Sequence, residues 1–302
     1  MQKKIRVSVI MGGPSSEYEV SINSGEKIFA SLDRKKYAPK KIIISKSGKW
    51  PMSIKKIAEN FDFAFIAMHG EYGEDGTIQK LLEKYKIPFN GSGSRASKMG
   101  IDKIASSKAF KKEKLNTPQI LKKNIIPPIV IKPQNRGSSV GVTIVKKSSE
   151  INKAKKLAKK YSSKIIIEKF IDGKEFACSV LEINKKPASL PVTEIIPQSS
   201  HFFDYDAKYT PGASLEITPA RINKSLTKQI QNAALKAHKS IQARGYSRSD
   251  FIIDKKGKIY ILEINTLPGM TKTSLIPKAA KICGISFKQL LDLIIETAIK
   301  KS

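Results

Sequence analysis

The sequence holds few of the side chains on which thiol, disulfide and zinc chemistry depend. Among its 302 residues are two cysteines, Cys178 and Cys283, and three histidines spaced far apart. So few cysteines are typical of a reducing compartment, and neither has a histidine near it in the sequence that would favour a nucleophile. The scattered histidines do not predict a zinc site. Cys178, in a strand-like run, is expected to be a small core residue.

Long apolar runs are also absent. No stretch approaches the roughly 20 apolar residues of a membrane helix, and the first residues lack the apolar region of a signal peptide. The expected location is therefore the cytoplasm, with no membrane partner. Hydrophobic residues make up 40% of the chain and charged residues 27%, as in ordinary globular proteins, and the length allows two or three domains.

Acidic residues are scarce, since 26 Asp and Glu stand against 56 Lys and Arg and the net charge is +30. A charge of this size favours a nucleic-acid-binding protein without catalysis. The lysines, however, are spread over the whole chain in short pairs, and no zinc finger, basic zipper or aromatic RNA-binding motif occurs. Together with the abundance of Ile, this spread indicates a compositional bias. We expect non-specific affinity at low salt but no specific nucleic-acid partner.

Acidic residues that look functional concentrate in one predicted hairpin. Within residues 250–265, two runs rich in β-branched and aromatic residues flank a polar turn. Symmetric closure of that turn pairs Asp250 with Glu263, and alternation places Asn265 on the face of Glu263. Opposed like charges destabilise a sheet. We expect no cationic side chain of the hairpin between these oxygen donors. A bound divalent cation would relieve the repulsion. Three oxygen ligands suit Mg²⁺ or Mn²⁺; an ordinary solvated face is the alternative.

The residues after the hairpin favour a functional site. Pro268 and Gly269 predict a turn that exposes backbone N–H groups and hydroxyls beside the three oxygen donors. Ser274 is placed to cap a following helix, whose N-terminus would attract an anion.

Two N-terminal strands end in glycine-rich turns that precede helices, the pattern of an α/β layer fold. The first turn holds Glu17, which either favours the helix dipole or binds an ammonium group. It lacks the third glycine of a dinucleotide fingerprint. The second turn begins at His69, either a structural residue or a ligand-binding one. Since ligands of open α/β sheets bind at the carboxyl ends of strands, both lie where a ligand is expected.

The middle of the chain predicts a phosphate clamp. Residues 90–94 form a short, flexible candidate domain boundary, followed by a helical stretch that contains Lys103. Lys132 ends a strand and precedes a loop of Gly and Ser, which suits phosphate binding but departs from the P-loop order. A flexible hairpin loop is the alternative. Glu168 and Glu175, on and after the next strand, are candidates to contact a nucleotide base and a ribose.

Two further features complete the chain. Residues 201–211 are polar, aromatic and aperiodic, as expected of a long ordered loop that acts as a lid. Residues 224–243 and 286–300 are predicted to form amphipathic helices packed on the C-terminal sheet.

Seven motifs occur together, in the order GGPSSEYEVSINSG, AMHGEYGEDGTIQ, VIKPQNRGSSVGV, IIEKFIDGKEF, FFDYDAKY, RSDF and LEINTLPGMTKTSLIP. The set resembles the D-alanine–D-alanine ligases of the ATP-grasp superfamily over nearly the whole chain. This resemblance implies an α/β (α+β) ATP-grasp fold of three α/β domains. They are a Rossmann-like, substrate-binding N-terminal domain over residues 1–91, a central ATP-grasp domain over 92–172 and a C-terminal catalytic domain over 173–302.

The resemblance also implies an activity and its cofactors. The family joins two D-alanines through a D-alanyl phosphate, with ATP and two Mg²⁺ (or Mn²⁺) ions, for peptidoglycan synthesis, and works as a homodimer. Another ATP-grasp carboxylate–amine ligase, such as a D-alanine–D-lactate ligase, is the alternative.

Residue roles follow from the same resemblance, by position. For catalysis, Glu17 is implied to anchor the amino group of the first D-alanine, with Ser138 and Tyr209 beside Glu17. Arg248 and the backbone N–H of Gly269 are implied to be the oxyanion donors. Substrate carboxylates are implied to lie near His69 for the first D-alanine and near Ser274 and Leu275 for the second. Nucleotide contacts are implied for Lys103, Lys132 and Lys208 at the phosphates, Glu168, Lys169 and Ile171 at adenine, and Glu175 at the ribose. The implied metal ligands are Asp250, Glu263 and Asn265.

The sequence departs from the family pattern at two of these motifs. Arg136 occupies a loop position that is often acidic or apolar, and Ser249 replaces a bulkier apolar residue. Tyr209, by contrast, resembles the branch that forms dipeptides rather than D-alanyl-D-lactate.

Overall fold

The structure is a computed structural model that describes residues 3–184, 186–198, 213–271 and 273–299. Its helices are α1 (Tyr18–Ser31), α2 (Ile54–Asn60), α3 (Thr77–Lys84), α4 (Ser94–Ile101), α5 (Lys103–Lys112), α6 (Ile151–Tyr161), α7 (Lys224–Ser240), α8 (Leu275–Ile282) and α9 (Phe287–Ile299), with a 3-10 turn at Ser148–Glu150. Its strands are β1 (Ile5–Gly12), β2 (Tyr37–Ile44), β3 (Phe63–Ile66), β4 (Ile129–Pro133), β5 (Thr143–Val145), β6 (Ile165–Lys169), β7 (Gly173–Ile183), β8 (Lys186–Ser189), β9 (Thr193–Pro197), β10 (Ser214–Ile217), β11 (Tyr246–Asp254) and β12 (Ile259–Asn265).

The first sheet is parallel, with the strand order β2-β1-β3. Val7, Val9 and Ile10 of the central strand are fully buried, as expected of a strand covered on both faces. Both candidate turns, at Glu17 and His69, follow strands of this sheet at their carboxyl ends. The predicted α/β layer is confirmed here.

The core of the first sheet includes the end of the chain. Phe63 and Phe65 belong to the same buried cluster as Met270, Ile276 and Leu290. Helices α8 and α9 therefore pack on the N-terminal sheet as well as near β7. This packing brings the segment after the predicted hairpin next to His69.

The second sheet is antiparallel, in the order β10-β9-β7-β11-β12, with β8 paired to β7. Helix α7 packs on one face through Ile230 and Ala234, against Phe176 and Phe251. The long central strands β7 and β11 pair over nine positions, from Tyr246 to Asp254, and this makes a stiff platform for the hairpin.

The third sheet is antiparallel and has the order β5-β4-β6. Ala154 and Ala158 of α6 pack on it, against Ile129 and Ile131. The other face of this sheet looks across a cleft towards the second sheet, since both line one cavity. The mixed α/β fold is confirmed. Throughout the described ranges, no helix is both long and apolar enough to cross a membrane.

The segment 90–94, which the sequence predicts to be flexible, is packed. Asn90 is 1% exposed, and its side chain accepts from the N–H of Ile66 at 2.6 Å. It also donates to the Tyr246 hydroxyl at 2.7 Å, on the second sheet. Since one buried amide bonds to two sheets, this connection is fixed. The domain boundaries themselves stay a prediction.

An ion pair fastens the edge of the first sheet. The Arg6 side chain bonds to the Asp62 carboxylate at 2.7 Å, and the Arg6 N–H donates to the same carboxylate at 2.8 Å. These bonds hold the pKa of Asp62 below its usual value. A carboxylate with a lowered pKa stabilises the fold above its unfolded pKa, and the effect is lost as the pH falls through the folded pKa.

We therefore expect Asp62→Asn to lower Tm at about pH 7 by about 1–2 °C, a small effect because both side chains are partly exposed. The difference from wild type should shrink below about pH 4. Thermal denaturation followed by circular dichroism at several pH values measures it. Asp172→Asn, in a more exposed pair with Lys255, is the matched control and should leave Tm unchanged. An equal decrease in Tm at all pH values would show that the charge of Asp62 does not stabilise the fold.

Candidate active site

The predicted hairpin forms between β11 and β12. Asp250 lies opposite Glu263, and this pairing is confirmed. The predicted symmetric closure is wrong near the turn. It would pair Ile253 with Tyr260, but Ile253 pairs with Ile259. A register shift between Asp250 and Phe251 then restores the predicted pair. The bulge thus sets which residues face each other at this end of the hairpin.

The expectation that the hairpin holds no cation between its oxygen donors is wrong. Arg248 lies two residues before Asp250 and bonds both carboxylate oxygens, at 2.7 and 2.9 Å. The Nζ of Lys103, at the start of α5, lies 3.6 Å from Glu263. The repulsion between the two carboxylates is therefore balanced on each side by a cation.

Two adjoining clefts meet at this hairpin. The first contains the predicted residues His69, Lys103, Ser138, Arg248, Glu263, Asn265, Gly269, Ser274 and Leu275. The second contains the predicted residues Lys103, Lys132, Glu168, Lys169, Ile171, Glu175, Asp250 and Glu263. Because Lys103 and Glu263 line both clefts, a group bound at the junction would contact ligands on either side.

The second cleft is lined by both apolar and charged side chains. Its apolar lining, from the second and third sheets, consists of Pro118, Val130, Val142, Ile144, Phe170, Ile171, Ile252 and Leu262. Lys132 and Glu168 lie on the paired strands β4 and β6, and their charged groups are 2.7 Å apart. A flat apolar ring with an anionic tail fits such a cleft.

The loop at 134–142 joins the third sheet to the first. The Ser138 hydroxyl donates to the Glu17 carboxylate at 2.6 Å, and Lys103 donates to the Arg136 carbonyl at 2.5 Å. Ser138 and Ser139 both have positive φ, at 52° and 58°, a strained conformation for residues other than glycine. Glu17 is the residue before α1, yet its side chain makes no cap bond and turns to Ser138 instead.

Glycine permits the closest approach of two of these turns. Gly70 has a φ of +67°, and a Cβ there would lie 2.6 Å from a carboxylate oxygen of Glu17. A Cβ at Gly269 would lie 2.9 Å from the Ser274 hydroxyl. Ser274 precedes α8 as predicted, but its hydroxyl caps no helix N–H and accepts from Thr271 N–H at 2.9 Å.

Glu74 was not predicted as a site residue. This side chain is buried in the first cleft, 3.6 Å from His69 Nδ1 and 3.4 Å from Asn265 Nδ2. Its burial raises the pKa of its carboxyl. Three acidic residues follow His69 within six positions, and only the fold distinguishes the buried one, so the sequence carried no signal for it.

Arg136 and Glu216 also line the first cleft without having been predicted as site residues. Glu216 pairs with Lys278 at 2.5 Å. Arg136 forms an ion pair with Glu71 and donates to the Tyr161 carbonyl at 2.6 Å. Partial burial lowers the pKa of Arg136. Lys208, Tyr209 and the predicted lid at 201–211 lie outside the described residues.

The hairpin donors fit a hard divalent cation. Asp250, Glu263 and Asn265 offer two carboxylates and one amide oxygen at the junction of the clefts. No group of three or more His, Cys, Asp or Glu side chains that could hold a metal occurs within the described part of the chain. A donor set this small suits Mg²⁺, which takes few protein ligands and completes its shell with water and phosphate oxygens.

Known proteins match the chain over its whole length. The family described as "D-ala D-ala ligase C-terminus" matches residues 97–296, and "D-ala D-ala ligase N-terminus" matches 6–57 and 51–92. A D-alanine–D-alanine ligase of Carboxydothermus hydrogenoformans is 42% identical over 96% of this chain and 97% of its own length.

Solved structures agree with the sequence relatives. The D-alanine–D-alanine ligase of Bacillus anthracis, solved in complex with ATP, is 36% identical, with a TM-score of 0.83 over 99% of this chain and 98% of that one. The VanG D-Ala:D-Ser ligase of Enterococcus faecalis is 32% identical, with a TM-score of 0.84 over 98% of this chain and 100% of that one. The ATP-grasp fold expected from the motifs is therefore confirmed.

The contact between Arg136 and Glu71 yields a prediction about the loop at 134–142. We expect Arg136→Glu to speed amide hydrogen exchange in this loop by about two- to fivefold, because it removes a partly exposed ion pair and opposes two carboxylates. The double variant Glu71→Arg with Arg136→Glu restores the pair and should recover part of the protection. Mass spectrometry of the exchanged peptides measures both.

Lys46→Glu, which breaks a fully exposed pair with Glu19, is the control and should leave the loop unchanged. Equal exchange in wild type and Arg136→Glu would mean that the other contacts of the loop hold it without this ion pair.

Proposed function

The chain belongs to the D-alanine–D-alanine ligase family, and we propose that it joins two D-alanines into D-alanyl-D-alanine, with cleavage of ATP to ADP and phosphate. The dipeptide is a building block of peptidoglycan. The observation that carries the proposal is that a cleft lined by apolar side chains and lysines meets another cleft at Glu263 and Lys103. We place the reaction in the cytoplasm, where ATP is available, and retain a homodimer as a prediction.

We assign the second cleft to ATP. Its aliphatic walls would hold the adenine, with Lys169 and Ile171 at the hinge, Glu168 at the exocyclic amine and Glu175 at the ribose. Lys103 and Lys132 would face the phosphates at the open junction. Lys208 is assigned the same role by position, outside the described residues. The aliphatic side chains and the lysines that line this cleft support the assignment.

We assign the first cleft to the two D-alanines, together with Glu17, which lines an adjoining cavity and meets the first cleft through Ser138. Glu17 would hold the ammonium group of the first, with Ser138 oriented by its 2.6 Å bond to Glu17 and Tyr209 beside it. His69 would lie near the carboxylate of the first, and Ser274 and Leu275 near that of the second. The position of the first cleft beside Lys103 supports this order, because the first carboxylate must meet the terminal phosphate.

The first step makes the carboxylate reactive. A carboxylate is a poor electrophile at neutral pH, and transfer of the terminal phosphoryl group gives D-alanyl phosphate, which has a good leaving group. Lys103 and Lys132 neutralise charge on the phosphate oxygens as the group moves. Mg²⁺ held by Asp250, Glu263 and Asn265 would supply further charge neutralisation when bound.

The second step forms the peptide bond. The amine of the second D-alanine attacks the carbonyl of the acyl phosphate, and the tetrahedral oxyanion needs donors that are already in place. Arg248, held by Asp250, and the N–H of Gly269 are assigned this role. Loss of one such donor typically costs about 3–4 kcal/mol. Water would hydrolyse the acyl phosphate, so the loop at 201–211 is proposed to close over it.

The decisive assay is phosphate release from Mg-ATP with D-alanine as the sole amino acid, beside L-alanine, with the product identified by mass spectrometry. We expect release with D-alanine alone and a dipeptide product. D-Serine and D-lactate, offered as second substrates, test specificity and should react more slowly than D-alanine. No release with either isomer of alanine would refute the proposed substrate.

The metal assignment is tested separately by Glu263→Gln. Replacing a carboxylate ligand with an amide should raise the Mg²⁺ concentration needed for half-maximal rate by at least about tenfold. Equilibrium binding of Mn²⁺ in the presence of ADP, followed by electron paramagnetic resonance, should show the same loss. Glu113→Gln, at an exposed position after α5, is the control. Wild-type Mg²⁺ dependence in Glu263→Gln would show that Glu263 is not a ligand.

A further inference from the structure

We propose that Glu74 is a positioning residue that fixes His69 on the substrate side and Asn265 on the metal side of the same site. The inference rests on the proposed function for the roles of His69 and Asn265, but not for the contacts themselves. It would make one buried carboxylate responsible for the geometry of two groups that come from different sheets.

Glu74 is fixed by a backbone hydrogen bond and by burial, apart from its contacts with His69 and Asn265. It lies in the turn between β3 and α3, where the Glu74 N–H donates to the Gly70 carbonyl at 2.8 Å. Its side chain is 8% exposed. On the far side lies Gly137, where a Cβ would approach the second carboxylate oxygen to 3.1 Å. The loop that carries Ser138 therefore covers Glu74 closely.

The contact with His69 determines which ring nitrogen bears hydrogen. Glu74 Oε1 faces His69 Nδ1 at 3.6 Å, and the other ring nitrogen, Nε2, lies 2.9 Å from the Ser24 hydroxyl. A carboxylate facing Nδ1 favours hydrogen on that nitrogen, so Nε2 accepts from Ser24. The ring is then fixed on both sides beside the place assigned to the first D-alanine.

The contact with Asn265 determines how its amide is turned. The Asn265 amide nitrogen donates to Glu74 Oε1 at 3.4 Å, while its oxygen accepts from the Leu267 N–H at 2.8 Å. These two bonds together oppose a half-turn of the amide, which would present nitrogen in place of oxygen, and loss of Glu74 removes one of them. Nitrogen in that position would not bind Mg²⁺, so Glu74 acts on the metal through Asn265, as outer partners of metal ligands do.

Two substitutions separate these contacts. Glu74→Gln retains an oxygen that can accept from Asn265 but removes the charge facing His69. We expect Glu74→Gln to leave Mn²⁺ binding within about twofold of wild type. The His69 ring should shift towards the tautomer with hydrogen on Nε2. KM for the first D-alanine should rise by about tenfold. Glu74→Ala removes both contacts and should weaken Mn²⁺ binding by about 10–100-fold as well.

The tautomer is read by ¹⁵N nuclear magnetic resonance of histidine-labelled protein, which is tractable because the chain has three histidines. This spectrum and Mn²⁺ binding do not require turnover, so they report on Glu74 even if the proposed reaction is wrong. Glu59→Gln, an exposed carboxylate on α2, is the matched control and should match wild type in both. His69→Ala assigns the resonance.

Two results would overturn the inference. One is a wild-type His69 spectrum together with wild-type Mn²⁺ binding in Glu74→Ala. The other is that Glu74→Gln and Glu74→Ala weaken Mn²⁺ binding and raise KM for the first D-alanine equally, while the His69 tautomer in the folded protein is unchanged. That result would mean that Glu74 only supports the packing of the loop at 134–142.

Discussion

The arrangement of the two clefts depends on the cost of burying charge. An ionised carboxylate taken out of water without a partner is far less stable than one with a cation or a donor nearby. Asp250 has Arg248, Glu263 has Lys103 and Glu168 has Lys132, at distances of 2.7, 3.6 and 2.7 Å. The Lys103–Glu263 and Lys132–Glu168 pairs each join two elements, whereas Arg248 and Asp250 both lie on β11.

Charge pairing explains why the site needs all three sheets. The hairpin of the second sheet carries Asp250 and Glu263, the third sheet carries Lys132, and the turns of the first sheet carry Glu17 and the histidine–glutamate contact. In the proposed reaction Lys103 and Lys132 exchange a carboxylate partner for phosphate oxygens. Glu263 then exchanges Lys103 for a metal, and Glu168 exchanges Lys132 for the adenine amine. Each group keeps a polar partner, which limits the reorganisation that binding requires.

The sequence predicted what depends on local pattern. The α/β layer at β1 and the pairing of Asp250 with Glu263 follow from runs of apolar residues and from strand alternation. It could not show the bulge that sets that pairing, because a one-residue register shift leaves no sign in composition. Arg248 was expected as an oxyanion donor, but its pairing with Asp250, which the same alternation argument allows, was not predicted. The burial of Asn90 and of Glu74 arises from contacts with residues 156 and 191 positions away, which no local pattern encodes.

The charge balance of the clefts, rather than the charge of the whole protein, bears on the ligand. Over the chain, 56 Lys and Arg stand against 26 Asp and Glu. Among the described residues that line the two clefts, six are acidic (Glu74, Glu168, Glu175, Glu216, Asp250 and Glu263) and five are Lys or Arg (Lys103, Lys132, Arg136, Lys169 and Arg248). Such a site has no surplus of positive charge to receive a triphosphate, whose own charges repel the carboxylates. The proposed Mg²⁺ ions would therefore enter with the nucleotide, and Lys208, assigned to the phosphates by position, would add a further positive charge. The surplus of lysine elsewhere on the chain is screened from the site at physiological salt and does not substitute for them.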